Sequence, residues 1–181
     1  MLRIVIKDEE LWDEEKEEFV DGEVVATLDL EHSLLSLSKW ESKYQKPFLS
    51  TMDKSTEEMI GYLKAMVVTP NADLDALYKC SQENINQIQE YIDSPQSATT
   101  FGLMPERRGP GEVITAELIY YWMIAFTIPV EFENWHLNRL FALIRICNIK
   151  NQKPKKMGRH EIAQRNRSLN EQRKAALGTK G

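Results

Sequence analysis

The chain has 181 residues, 42% hydrophobic and 28% charged, a near-average globular balance that calls for a packed core over most of its length and leaves disorder only a minority. That length suits one domain with an appendage better than two full domains. The net charge of −5 hides a division: from Lys150 to Gly181 ten basic residues stand against two acidic ones, a segment at +8, which leaves 13 basic and 26 acidic residues over positions 1–149, at −13.

At the N-terminus, Leu2, Ile4 and Ile6 alternate with Arg3, Val5 and Lys7, which predicts a short strand with one buried face. The acidic stretch Asp8 to Glu18 interrupts it, Asp21-Gly22 signals a turn, and Glu23 to Leu30 reads as a second strand. Two such strands make a small antiparallel sheet that needs helices packed on it to stand. From Glu31 the period changes: Leu34, Leu35, Leu37 and Trp40 share one side of a helix that ends before Pro47. Ser55 and Glu58 have capping-box spacing, and Met59, Tyr62, Leu63, Met66 and Val67 continue at helical spacing until Thr69-Pro70. Leu74 to Tyr78 suits a short helical turn, and Ser81 caps a helix carrying Ile85, Ile88 and Tyr91 that stops at Ser94-Pro95.

Glycines, prolines and the pair Arg107-Arg108 mark Gln96 to Gly111 as an exposed loop. Ile114 to Phe126 is nearly apolar all round, and Phe132 to Ile149 carries a broad stripe of Trp135, Leu140, Phe141, Leu143, Ile144 and Cys147. Joined through Ile128-Pro129, they predict a helical hairpin at the centre of the core. The longest apolar run, Leu118 to Val130, is well short of the roughly 20 residues a membrane span needs. Beyond Pro154, Arg159 to Leu177 favours helix by composition, but has only Ile162, Leu169, Ala176 and Leu177 to bury. The fold class expected is α+β, mostly α-helical: a small N-terminal antiparallel sheet packed on a helical body, with a C-terminal helical arm. Residues 1–150 form the acidic body around the hairpin 114–149, and 151–181 the basic, partly flexible arm.

Catalytic chemistry finds little footing. Cys80 and Cys147 lie far apart with no partners at metal spacing, which predicts buried reduced thiols. His32, His136 and His160 are scattered, and His136, between Trp135 and Leu137, suits a hydrogen-bonded structural role. No glycine-rich phosphate loop, nucleophile elbow or paired metal-ligand motif is present in the sequence. The expectation is therefore a protein that is not an enzyme and that uses no cofactor or metal. The carboxylates of Asp8 to Glu23 read as a solvated surface. Trp12 among them fits either a partner anchor or packing across the small sheet.

The arm supplies the other candidate contacts, Lys153, Lys155, Lys156, Arg159, Arg165, Arg167 and Arg173. Nucleic acid is the weaker partner for them, because the arm has no aromatic residue to stack on bases and a body at −13 repels a polyanion. An acidic protein surface fits better, and on another copy of this chain it would join subunits head to tail. The N-terminus lacks the long apolar run of a secretory signal, so the protein is expected to stay in the cell that makes it.

Two segments, Leu30-Glu31-His32-Ser33-Leu34-Leu35-Ser36-Leu37-Ser38-Lys39-Trp40-Glu41-Ser42-Lys43 and Glu117-Leu118-Ile119-Tyr120-Tyr121-Trp122-Met123-Ile124 with Trp135-His136-Leu137-Asn138-Arg139-Leu140, together resemble the tail assembly chaperones of long-tailed, siphovirus-like bacteriophages. The closing Arg165-Asn166-Arg167-Ser168-Leu169-Asn170-Glu171-Gln172-Arg173 is similar too, and the likeness covers most of the chain. The resemblance implies a non-enzymatic protein of the host cell cytoplasm. It would bind the tape measure protein, keep its apolar helices soluble and assist the tail tube protein to polymerise around it, and such proteins are often made in a short and a frameshifted longer form. The alternatives are a structural virion protein of the neck or tail, and a nucleic-acid-binding protein acting through the arm.

Overall fold

Alternation at the N-terminus produces the expected sheet. Strand β1 (Leu2–Lys7) pairs antiparallel with a later strand, Val24–Leu30, with Leu2 opposite Leu30 and Ile4 opposite Leu28. A period of two then sends Ile4, Ile6, Leu28 and Leu30 to the buried face and Arg3, Val5 and Lys7 outward. The computed structural model describes residues 1–8, 11–13, 18–20, 22–101, 113–151 and 158–178, with the backbone alone at 11–13, 18–20, 159 and 161. Within the acidic stretch a second ladder joins β2 (Leu11–Asp13) to β3 (Glu18–Val20), with Trp12 opposite Phe19. The acidic stretch is therefore not a plain interruption: Trp12, Phe19 and Val20 are strand formers set among its carboxylates. Val24–Leu30 is accordingly β4.

Serine caps set the helices. Ser33 accepts the Ser36 N–H at the start of α1 (Leu34–Tyr44), which ends in a left-handed Gln45, φ 53°, just before Pro47. Helix α2 (Thr56–Met66) opens with a reciprocal box: Ser55 Oγ accepts the Glu58 N–H and Glu58 Oε2 accepts the Ser55 N–H. After a 3-10 turn, Leu74–Lys79, Ser81 and Asn84 cap α3 (Gln82–Asp93) in the same way. Thr115 caps α4 (Ala116–Ala125), a second 3-10 turn spans Val130–Asn134, and α5 (Leu137–Asn151) and α6 (Arg159–Leu177) complete the order.

The chain divides into two compact units, Met1–Asn148 and Ile149–Gly181. The first unit holds two cores instead of one. In the first, Ile4, Ile6, Leu28 and Leu30 of the sheet meet Trp40, Tyr62, Met66, Leu77 and Ile88. In the second, Leu34 and Leu37 meet Ala116, Ile119 and Met123 of α4 and Leu137, Leu140 and Ile144 of α5. Helix α1 serves both cores, and Phe48 packs against each. The segment 114–149 therefore builds the second core and is not the centre of the whole body. Several expected core positions also turn out differently, with Leu35, Leu63, Val67, Tyr91, Trp135, Phe141 and Leu143 only half-buried. Met59 and Ile85 are exposed and Trp122 is half-buried. At α3 the inward position belongs to Asn84, whose Nδ2 donates to the Val5 carbonyl at 3.2 Å, so the polar cap residue faces β1 and Ile85 turns out. The architecture is α+β and mostly helical, with the small antiparallel sheet at the N-terminus.

Candidate protein-binding face

The ten residues of α4, Ala-Glu-Leu-Ile-Tyr-Tyr-Trp-Met-Ile-Ala, include a single charge, Glu117. A buried carboxylate holds the start of this helix. Glu41 of α1 accepts the Ala116 N–H through Oε2 at 2.7 Å and the Phe48 N–H through Oε1 at 2.8 Å, tying two loops to one helix. The Tyr120 hydroxyl donates to Glu133 Oε2 at 2.6 Å and fixes the helix against the following turn. Burial, reinforced by the Glu133 carboxylate, raises the Tyr120 pKa, so the phenol stays a donor.

Held this way, α4 buries Ala116, Ile119 and Met123. At about 100° per residue, Glu117, Tyr121, Ile124 and Ala125 fall on the opposite side, flanked by half-buried Leu118 and Trp122. Tyr121 is 63% exposed and Ile124 77%, and Val130 in the next turn is 59% exposed. A helix apolar on all sides normally has cover on all sides, and a contiguous exposed apolar patch marks a surface that meets another molecule. On the outer face of α4, Tyr121 and Ile124, three residues apart, stand beside one another and exposed.

Elsewhere the polar groups serve the fold. His32 and His136 are buried side by side, ring centroids 5.1 Å apart, where a bridge between Ser33 and His136 and a bond from the Leu137 N–H to the His32 carbonyl join the two cores. His136 Nδ1 accepts the Asn138 N–H at 3.3 Å, so the neutral ring carries its proton on Nε2 and donates to the Tyr91 carbonyl at 3.0 Å. The Tyr62 hydroxyl, its pKa raised by burial, donates to His32 Nδ1 at 2.6 Å. Burial, with the neighbouring His136 adding to it, lowers His32 to about 4; burial also lowers His136. His136 is thus hydrogen-bonded through both ring nitrogens, as its position predicts. The thiols of Cys80 and Cys147 are free and half-buried, not fully enclosed, and burial raises the Cys80 pKa, which disfavours the thiolate. Among the described residues no cluster of His, Cys, Asp and Glu is arranged to hold a metal ion, and no helix is long and apolar enough to cross a membrane. A groove of about 840 Å³ runs beside β1, but Arg3 on its wall is paired with Asp29 at 2.8 Å and Lys79 with Asp8 at 3.2 Å.

Of the residues singled out by sequence, Trp12 lies on β2 with its side chain outside the described residues, as do Lys153, Lys155 and Lys156 entirely and the side chain of Arg159. Arg165, Arg167 and Arg173 are exposed on α6; Arg165 and Arg173 share one side of it, and Arg167 lies toward the other. The loop Gln96 to Gly111 falls mostly outside the described residues. Sequence reasoning missed Tyr121, Ile124 and Val130, because a uniformly apolar helix gives no phase to say which side stays uncovered. Comparison with protein-family models, curated proteins and solved structures matches this chain to none of them.

Proposed function

We propose that the protein is a non-catalytic tail assembly chaperone of a long-tailed bacteriophage, acting in the host cytoplasm by holding apolar helical segments of the tape measure protein while tail tube subunits assemble around it. The observation that carries this reading is the outer face of α4. Tyr121 and Ile124, three residues apart with the small Ala125 beside them, offer the ridges and gap into which an amphipathic helix lays its apolar side. The surrounding chain from 1 to 149, at −13, keeps such complexes apart by repulsion while the face is occupied. Co-expression tests it. The tape measure protein should stay in the supernatant beside the wild-type chain and pellet beside Ile124→Glu, a change at an exposed position that leaves the cores intact. A tape measure protein that pellets in both cases, or in neither, contradicts the proposal.

A further inference from the structure

We propose that the outer face of α4 receives helix α6 of a second copy, so that copies associate head to tail. Helix α6 is 19 residues long, and each of its described side chains is exposed. A helix so polar is marginal alone, since tertiary packing supplies most helical stability. Ile162, Leu169 and Ala176 recur every seven residues, drifting only about 20° per step, and so draw one apolar line about 21 Å long. Arg173 runs along one edge of that line.

The body offers the converse surface. Tyr121 and Ile124 form an apolar ridge with Glu117 on the same face and exposed Glu131 in the turn beyond. An apolar line edged by Arg173 meets an apolar face edged by carboxylates, and the wider charges agree, +8 over 150–181 against −13 over 1–149. The occupant is a second copy because the chain itself carries the complement in apolar pattern and in charge. The contact is heterologous, so each copy offers one face and one helix, and copies add end to end until they close or run out. A client helix then competes with α6 for the face, whereas the association itself needs no client.

Sedimentation velocity of the full-length chain alone tests this. The average mass should rise with protein concentration, and association should weaken at least tenfold between low and high salt. Ile124→Glu loses the face and Leu169→Glu loses the helix, so each variant alone should stay monomeric with a wild-type circular dichroism spectrum. Their equimolar mixture should give dimers and nothing larger, because one intact face and one intact helix remain between them. Arg173→Glu should weaken association and Glu117→Arg in the same chain should restore it. A wild-type chain that is monomeric at every concentration overturns the proposal. So does a Leu169→Glu variant that associates like wild type, which would place α4 against α4, or a variant mixture that stays monomeric.

Discussion

Helices α4 and α6 are opposites in composition and alike in what they lack. Helix α4 has one charge in ten residues and is held by the Glu41 carboxylate, the Thr115 cap and the Tyr120–Glu133 bond, yet covers only the side bearing Ala116, Ile119 and Met123. Helix α6 is mostly polar, forms from residues of good helix propensity, and exposes each side chain described. Composition sets whether a helix forms, but tertiary anchors decide which side of it is covered. Each helix leaves an apolar strip uncovered.

The largest expected difference between the two is in stability. Leu140 is fully buried in the second core, so Leu140→Ala should lower the unfolding free energy by about 2–5 kcal/mol. Leu169→Ala on α6 should change it by less than about 0.5 kcal/mol. Urea titration of full-length variants measures both, and a comparable loss from Leu169→Ala would mean that α6 belongs to a core.

Acid should act on the body with an effect nearly as large. Burial holds His32 neutral with a folded pKa of about 4, below its ordinary 6.5, although the Asp93 charge opposes the shift. The unfolded chain takes up the proton first. The stabilisation is therefore complete above pH 6.5, drains away as pH falls toward 4, and changes no further below that. The shift corresponds to about 3 kcal/mol, of which a partly hydrated site would show less. His32→Gln should flatten the urea midpoint against pH between 6.5 and 4. An unchanged slope would show that the histidine pair does not carry the acid sensitivity of the joint between the cores.

A smaller effect separates capped helix ends from uncovered faces. Ser55→Ala removes one half of the α2 capping box and should cost about 1 kcal/mol. Ile124→Ser, on the open side of α4, should stay within about 0.5 kcal/mol, because an exposed side chain has no packing to lose. If Ile124→Ser matched Ser55→Ala in the dilute monomer, the face would already be covered there.

Much of the fold was legible where the signal is local. The Ser55–Glu58 and Ser81 caps, the stop before Pro47 and the alternation of Leu2, Ile4 and Ile6 depend on neighbours within a few residues, and each appears as the spacing requires. What escaped depends on distant partners. The two cores join at His32 and His136, 104 positions apart in the chain and in contact only after folding. Asn84, not Ile85, shares the inward side of α3 with Ile88 and donates to the Val5 carbonyl of β1, 79 positions away in the chain. The candidate site was the least legible, since the residues Leu118 to Ile124 look like core by every pattern rule. Charge pointed instead to the arm, part of which lies outside the described residues.

The direct measurement is a photo-cross-link from the face itself. With p-benzoylphenylalanine in place of Tyr121, and full-length heavy- and light-isotope chains mixed, irradiation should join position 121 of one copy to residues 159–177 of the other. Cross-links from 121 to α4 of the other copy, or no cross-link between copies at concentrations that sediment as oligomers, would contradict the claim that α4 and α6 complete one another.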